Sequence, residues 1–278
     1  GDVILRISNI LVSILNWFGG DNNKARKIMN KLLSFLYGVV CYAVFLLSFL
    51  YAIGFVGNMV VPKSIDSGME SSLAPSLIIN VVLLGLFAVQ HTIMARPAFK
   101  RWWTKIVPVP VERSTFVLAA SLLLLLLYWR WRPMPGVIWS VEYPAGKALL
   151  LGLFWLGWVT VLLSTFIVNH FDLFGLRQVW LHLRNQEYHH VQFQTRSLYR
   201  HIRHPIMLGF IIAFWATPHM TAGHLLFAVA TTVYILIGIQ FEEHDLVHLL
   251  GKNYDEYRRR VPMRIPFLRK RNAREDKA

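Results

Sequence analysis

Five stretches of this chain contain no Asp, Glu, Lys or Arg, and they limit the possible folds more than any other feature. They cover residues 32–62, 71–95, 114–129, 148–171 and 204–241. Because the hydrocarbon core of a bilayer needs about 20 apolar helical residues, the first, second and fourth stretches can each cross a membrane as one helix. The third is shorter, but Arg113, Arg130 and Arg132 flank it and can extend their charged groups to the interface. Trp129 and Trp131 add an aromatic anchor at the same end.

The fifth stretch is too long for one span and contains Thr217-Pro218 in its interior. Pro218 removes a backbone donor and disfavours helical geometry at Thr217. The sequence therefore predicts two helices, about 205–217 and 220–241, folded as a hairpin. The first arm is about 20 Å long at 1.5 Å per residue, which leaves open whether it crosses the bilayer. The alternative is one long helix kinked at Pro218.

Composition excludes several other classes of protein. Charged residues make up 16% of the chain, against about 25% in a typical soluble protein. The aromatic content of 14% excludes intrinsic disorder, and a single cysteine, Cys41, excludes a disulfide-bonded scaffold. The net charge of +14 is high enough for nucleic-acid binding, but it lies between the apolar stretches, as in membrane proteins with basic cytoplasmic loops. We therefore expect a lipid bilayer around the chain, no nucleic-acid partner and no obligate protein partner.

The distribution of Lys and Arg predicts the orientation. Basic residues are concentrated in segments 95–113, 169–203 and 242–278, whereas segment 61–75 contains only Lys63. The positive-inside rule places the basic segments in the cytoplasm. Segment 130–147 is the weak point of this assignment, because its three basic residues would face outward.

These patterns predict an all-α fold: a polytopic membrane helix bundle with four spans, a C-terminal helical hairpin and a cytoplasmic helical cap. Residues 1–30 carry apolar side chains at helical spacing and are predicted to form an interfacial amphipathic helix that ends at Gly19-Gly20. Residues 31–168 would hold the four transmembrane helices. Residues 169–278 would form the catalytic C-terminal part, with the hairpin at 205–241 and a cytoplasmic tail.

A dense polar motif lies in the C-terminal third of the chain. Its elements, in order, are Tyr199, Arg203-His204-Pro205, Gly209, Glu242-Glu243, Leu246, Gly251, Tyr254, Tyr257, Val261-Pro262 and Pro266. Each element alone is weak, but their order and spacing form a strong signal. The motif resembles that of the integral membrane methyltransferases related to isoprenylcysteine carboxyl methyltransferase.

Two motifs outside this region narrow the resemblance. One is Gln90-His91 followed by Met94-Ala95-Arg96-Pro97, and the other runs from Asn169 to Leu176. Both are similar to motifs of the bacterial methanethiol S-methyltransferases, and the resemblance covers roughly residues 31–270. It implies transfer of a methyl group from S-adenosylmethionine to methanethiol, giving dimethyl sulfide. It also implies an active site on the cytoplasmic side of a bacterial inner membrane.

The chain has no glycine-rich GxGxxG fingerprint, so the cofactor must be held in another way. The resemblance implies a pocket that includes Gln192, Phe193, Gln194, Tyr199, His204, Pro205, Met207, Gly209, Glu242, Leu246 and Tyr254. Glu242 would bind the ribose hydroxyls or the ammonium group of the cofactor. Pro205 is favourable in a first helical turn, where free N–H groups can meet a carboxylate. The alternative for Glu242 is an ordinary carboxylate that caps a membrane span.

Two positions depart from the related enzymes. Met207 stands where the family has Tyr, so an aromatic contact to the cofactor would become a thioether contact. Gly238 stands where the prenylcysteine enzymes carry an Arg that engages substrate. A site without that Arg suits a small neutral thiol better than a substrate with a carboxylate.

Methylation of sulfur requires a thiolate, because the thiol is a poor nucleophile. The candidate proton acceptors near the membrane are His91, His170 and Asp172, since histidine has a suitable unperturbed pKa and a neighbouring Asp can orient it. The alternative is that these residues cap helix ends or form hydrogen bonds between spans.

Other functions stay open at this stage. A prenylcysteine, a lipid amine or another small thiol could be the methyl acceptor. The eleven histidines, including the pairs His201/His204 and His244/His248, raise the remote alternative of a membrane di-iron oxygenase, although the remaining histidines have the wrong spacing for it. A transporter would also contain a broken helix and polar residues in its spans, but would not require the motif-rich C-terminal region. No resident metal is expected.

Overall fold

The computed structural model describes residues 22–69, 71–189 and 196–263. Ten α-helices and two short strands lie in these ranges. In chain order they are α1 (Asn22–Gly57), α2 (Leu73–Ala95), α3 (Pro97–Trp103), α4 (Val109–Arg130), β1 (Val137–Ser140), α5 (Pro144–Val168), α6 (His170–Leu173), α7 (Leu176–Leu183), α8 (Pro205–Trp215), β2 (His219–Thr221), α9 (Ala222–Leu250) and α10 (Lys252–Arg260). A 3-10 helix covers Ser197–Arg200.

Five helices, α1, α2, α4, α5 and α9, are long and apolar enough to cross a membrane. Their outward faces are apolar: exposed residues on α2 alone include Leu77, Ile78, Val81, Val82 and Val89. Apolar surface of this extent requires a lipid environment. The prediction of an all-α polytopic membrane bundle is therefore confirmed.

The first span is longer at its start than predicted. Helix α1 begins at Asn22, so residues 22–30 are its first turns and continue into the span without a break. Residues 1–21, which carry most of the predicted interfacial helix, lie outside the described residues. The helix ends at Gly57 because Asn58 and Val60 have φ angles of 52° and 62°, in the left-handed region that cannot continue a right-handed helix.

The C-terminal apolar stretch forms the predicted two-helix hairpin, and the alternative of one kinked helix is wrong. The first arm, α8, has 11 residues and is therefore about 16 Å long. It ends at Trp215, three residues before Pro218. The second arm, α9, continues to Leu250, well past the predicted boundary, and ends at Gly251.

The non-helical segment between the two arms pairs with an earlier loop, which was not predicted. Strand β2 runs antiparallel to β1 in a two-stranded sheet. On either side of the sheet, Val141 N–H donates to Pro218 O (2.8 Å) and Ala222 N–H donates to Gly136 O (2.7 Å). Backbone polar groups in a membrane protein must find partners within the protein. The loop between α4 and α5 supplies those partners.

The long helices and α8 pack as a closed series. Contacts join α1 to α4, α4 to α2, α2 to α9, α9 to α8 and α8 to α5. An edge-on contact between Phe49 and Trp158, with ring centroids 5.5 Å apart, joins α1 and α5. Helices α5 and α8 pack closely, since a Cβ atom on Gly209 would lie 2.7 Å from the carbonyl oxygen of Gly157.

The predicted motifs converge on one end of this bundle, which we call the basic end. Here α2, α5 and α9 end while α4 and α8 begin. Arg96 at the end of α2 pairs with Asp245 on α9, and Arg113 on α4 donates to Leu173 O beyond α5 (2.8 Å). The basic segments between these helices therefore lie on the same side as the hairpin's start and exit.

Candidate active site

The centre of the site is His204, the residue that precedes α8. Its backbone is non-helical, and Pro205 occupies the first position of the helix, where a missing N–H costs no hydrogen bond. The side chain is buried. Its Nε2 lies 3.1 Å from Glu243 Oε1, and its Nδ1 lies 3.5 Å from Glu242 Oε2. The structure thus brings together His204 and Glu242, two residues that the sequence assigned to one site.

Glu243 and Arg203 complete a buried ionic cluster that the sequence analysis did not assign. Arg203 lies 2.8 Å from Glu243 Oε1, and the side chains of both are less than 10% exposed. The side chain of Glu242 is 47% exposed. Glu243 is therefore held by protein cations, whereas Glu242 keeps a face available to a ligand. The Glu-Glu pair was visible in the sequence, but not which member points inward.

The charges of this cluster balance. Burial lowers the pKa of His204, but the hydrogen bonds and negative charges of Glu242 and Glu243 outweigh burial and raise it above the ordinary value. A protonated His204 donates from both ring nitrogens, one toward each carboxylate. With Arg203, two positive groups then face two negative ones, as a buried ionic cluster requires.

A helical cap closes the basic end below this cluster. Tyr257 on α10 donates to Tyr199 O (2.7 Å), and Arg203 N–H donates to Pro262 O (3.1 Å). Tyr254 is almost completely buried. Burial raises the pKa of Tyr257 to about 12, so this phenol stays neutral and donates its hydrogen bond across the physiological range.

The remaining predicted cofactor residues have different surroundings. Met207 on α8 and Leu246 on α9 are half-buried. Gly209 packs on α5: a Cβ atom there would lie within 3 Å of Gly157 O and Val161. Its small size therefore serves helix packing, which differs from the cofactor contact predicted for it. The predicted residues Gln192, Phe193 and Gln194 lie outside the described residues.

Gly238 borders open space beside Glu242. A Cβ atom built on Gly238 meets nothing within 4 Å, in contrast to the tight contacts of Gly209. Gly238 lies one helical turn before Glu242 and one turn after Tyr234 on α9. A small molecule beside Gly238 would therefore sit next to the half-exposed carboxylate.

His170 is buried in an aromatic cluster, and both of its ring nitrogens are engaged. Its Nδ1 lies 2.8 Å from Thr165 Oγ1, and its Nε2 lies 2.8 Å from the Tyr42 hydroxyl. Because the Thr165 hydroxyl donates to Leu162 O (2.7 Å), it accepts from His170 Nδ1–H, and Nε2 then accepts from Tyr42. Burial lowers the pKa of His170, so the ring is neutral and has no free acceptor.

Asp172 does not contact His170, so the predicted orientation of that ring by Asp172 is wrong. Its carboxylate pairs with Arg177 (2.9 Å) and accepts a hydrogen bond from the Tyr188 hydroxyl (3.3 Å). Its backbone N–H donates to the side chain of Asn169 (3.1 Å). The short helix α6 turns the carboxylate toward α7, away from the buried His170.

His91 differs from His170 in its hydrogen bonding. The ring stacks on Phe87 at 5.3 Å and contacts Phe116 at 5.0 Å. Its Nδ1 atom is buried and has no hydrogen-bond partner among the residues that the structure describes. Its neighbour Thr92 bonds to the hydroxyl of Tyr234 (3.2 Å), one turn before Gly238. His91 therefore offers a buried nitrogen close to the helix that carries Glu242.

Several buried polar atoms near the basic end lack a partner within the described ranges 22–69, 71–189 and 196–263. They are Gln90 Oε1, His91 Nδ1, Trp103 Nε1, Gln178 Oε1 and Arg203 Nε. Buried polar groups normally have partners, so this set has unused capacity for a polar ligand. Within the same ranges, no three His, Cys, Asp or Glu side chains gather as metal ligands.

Comparison with known proteins identifies the family. The chain is 58% identical over 239 residues to methanethiol S-methyltransferase of Mycobacterium tuberculosis, a match that covers 86% of this chain and 98% of that protein. It is 54% identical over 242 residues to methanethiol S-methyltransferase 2 of Bradyrhizobium diazoefficiens, covering 87% and 93% of the two chains.

A more distant relative is nurim of Bos taurus, 27% identical over 188 residues that cover 65% of this chain and 71% of nurim. No family model matches the chain, and no solved structure matches it. The similarity to the bacterial enzymes extends over nearly their whole length. The chain belongs to the methanethiol S-methyltransferase family.

Proposed function

We propose that the protein transfers a methyl group from S-adenosylmethionine to methanethiol, giving dimethyl sulfide. The relatives' names support the reaction, and one structural observation supports its location. Glu242 is half-exposed one helical turn from the open space at Gly238, and its Oε2 lies 3.5 Å from His204 Nδ1. This arrangement suits a polar, cationic cofactor next to a small acceptor.

The residues around Glu242 fit S-adenosylmethionine. The carboxylate of Glu242 would accept hydrogen bonds from the ribose hydroxyls or the ammonium group. The first turn of α8 has free backbone N–H groups, which favour a carboxylate, and Arg203 Nε is buried without a partner in the described part of the chain. When bound, S-adenosylmethionine supplies an electrophilic methyl group on a positively charged sulfur. Tyr199, Met207, Leu246, Tyr254 and residues 192–194 remain proposed members of this pocket.

His91 is our proposed acceptor for the thiol proton. Its Nδ1 has no hydrogen-bond partner among the described residues, whereas His170 has both nitrogens occupied and Asp172 is paired with Arg177. A neutral imidazole has a lone pair on one ring nitrogen that can accept a proton. In this proposal His170 joins α1 to α5 through Tyr42 and Thr165. Asp172 anchors α7 through Arg177.

The acceptor pocket favours a small neutral thiol. Gly238 leaves space beside Glu242. Because Gly238 has no side chain, this position on α9 places no cation in that space. A prenylcysteine or another carboxylate substrate would lack a charged partner there, and burying an unpaired charge is costly. We further propose that the basic end faces the cytoplasm of a bacterial inner membrane, where S-adenosylmethionine is available.

The experiment is a methylation assay with purified protein, S-adenosylmethionine and a panel of acceptors, followed by gas chromatography of the headspace. The panel contains methanethiol, longer alkyl thiols, a prenylcysteine and a lipid amine. We expect dimethyl sulfide from methanethiol at the highest rate. Methylation of the prenylcysteine or the amine without any volatile sulfide would refute the proposed acceptor.

A further inference from the structure

Arg96 joins the ends of two helices that carry the proposed site. It lies between α2 and α3, and its guanidinium is 3.0 Å from Asp245 Oδ2 on α9. The same guanidinium lies over the ring of Phe241 at 4.7 Å from the centroid. A charged contact and a cation–π contact from one side chain restrict its position more than either does alone.

The contact between α2 and α9 follows one face of α9. Thr92 bonds to Tyr234 (3.2 Å), and one turn later Arg96 contacts Phe241 and Asp245. Tyr234, Phe241 and Asp245 share a face of α9. Phe241 and Asp245 follow Tyr234 by seven and eleven residues, which are nearly two and three whole helical turns. Gly238 and Glu242 lie beside that face, on the side that leads toward Glu243.

Glu243 ties the other side of α9 to the start of α8 through Arg203 and His204. The basic end of α9 is therefore held by two charged contacts, one to α8 and one to α2. The contact to α8 fixes Glu242 relative to the proposed cofactor pocket. The contact to α2 fixes α9 relative to His91, which lies on the last two turns of α2.

We propose that Arg96 is a positioning residue for methyl transfer, which acts by holding α9 against α2 through Asp245 and Phe241. We call these three residues the Arg96 clamp. The clamp sets the separation between the helix that bears the proposed proton acceptor and the helix that bears Glu242. This inference rests on the proposed function, because it assigns the thiol to α2 and the cofactor to the hairpin.

The test compares Arg96→Gln, Asp245→Asn and the double variant, with Arg101→Gln as matched control. Arg101 is an exposed arginine on the neighbouring helix α3 and has no ion pair in the described part of the chain. We expect kcat with methanethiol to fall about 10-fold or more in each single variant, since small misplacements of reacting groups have large effects on rate. The double variant should be no worse than either single one, as for residues that act together.

Cofactor affinity separates positioning from general damage. Because the contacts of Glu242 and Glu243 to α8 remain, calorimetry should find the Kd for S-adenosylmethionine changed by no more than about threefold while kcat falls. The charge-reversed pair Arg96→Asp/Asp245→Arg should recover much of the lost rate. If Arg96→Gln does not fold, the turnover of this charge-reversed variant tests the clamp instead.

Two results would overturn the clamp: equal turnover of Arg96→Gln and Arg101→Gln, or a folded charge-reversed pair that stays as slow as the single variants. Both presuppose an active wild-type protein. A wild-type protein that methylates no thiol would instead overturn the proposed function, and the clamp with it.

Discussion

His204 Nε2 lies 3.1 Å from Glu243 Oε1, so one hydrogen bond links the residue that precedes the hairpin's first helix to the last third of its second helix. Arg203 reaches the same oxygen at 2.8 Å. Glu243 therefore holds the base of the hairpin together, and its neighbour Glu242 is presented to the proposed cofactor pocket. Adjacent carboxylates with such different surroundings should respond differently to substitution.

Glu242→Gln should weaken S-adenosylmethionine binding by about 1.5–3 kcal/mol, the usual contribution of a hydrogen bond to a charged group. The fold should remain, because Glu242 is half-exposed. Glu243→Gln serves as the contrast: it leaves Arg203 buried without its anion and should destabilise the protein by about 3–5 kcal/mol. Calorimetry and thermal unfolding in detergent measure the two effects. An unchanged cofactor affinity in Glu242→Gln would remove Glu242 from the site.

The raised pKa of His204 makes the stability of the hairpin depend on pH. A histidine whose pKa rises on folding contributes stability that is fully present below the unfolded pKa of about 6.5. That contribution is lost as the pH increases through the raised folded pKa. The difference in thermal-unfolding midpoint between wild type and His204→Gln should therefore decrease as the pH increases from about 6 to 9. A constant difference over this range would mean that His204 is neutral in the folded protein.

His91→Ala and His170→Ala should affect different properties, the first the methylation rate and the second the thermal stability. If His91 accepts the thiol proton, His91→Ala should lower the methylation rate by about 10²-fold or more, the usual effect of removing a general base. The loss should diminish at high pH, where more of the thiol ionises unaided. His170→Ala should mainly reduce thermal stability, since it leaves Tyr42 and Thr165 without their partner. A rate loss confined to His170→Ala would transfer the role to His170.

Two glycines should differ in their tolerance of a methyl group. Gly209→Ala places a Cβ atom 2.7 Å from Gly157 O and should destabilise the α5–α8 contact by about 1–3 kcal/mol. Gly238→Ala meets open space and should leave stability unchanged or slightly increased. Gly238→Arg should keep the fold but reduce turnover of methanethiol, because the arginine side chain would occupy the space proposed for the thiol. Thermal unfolding with parallel assays checks both sites, and equal stability losses would contradict the described packing.

Cysteines at the two ends of the bundle test the orientation. Ser140→Cys lies on β1 and Ser197→Cys on the 3-10 helix at the basic end, and both positions are exposed. A membrane-impermeant maleimide added to intact cells should label Ser140→Cys and should reach Ser197→Cys only after permeabilisation. The native Cys41 is buried, so the protein without an introduced cysteine gives the level of background labelling. The reverse labelling pattern would invert the proposed topology.

The sequence predicted those features that depend on long apolar runs and on backbone chemistry. The spans followed from uncharged stretches, and the hairpin followed from Pro218. The contact between His204 and Glu242 was anticipated only through the resemblance, since 38 residues separate them in the chain. Spacing alone does not reveal such a contact.

Other features depend on the direction in which a side chain points. Asp172 follows His170 by two residues, yet the short helix α6 turns its carboxylate to Arg177. Glu242 and Glu243 are adjacent, but a helix places consecutive side chains on different faces, so only the structure distinguishes the exposed one from the buried one. The β1–β2 pairing involves strands of four and three residues, too short for a recognisable alternating pattern.

The pairing of β1 with β2 has a consequence for the order in which the protein assembles. Arm α8 is too short to insert into a bilayer as an independent span, and the backbone of the segment that follows it pairs with the loop between α4 and α5. During synthesis that loop emerges before the hairpin. The β1–β2 pairing can therefore form only after this loop and the segment between the hairpin's two arms have both been made, which makes it a late step of assembly.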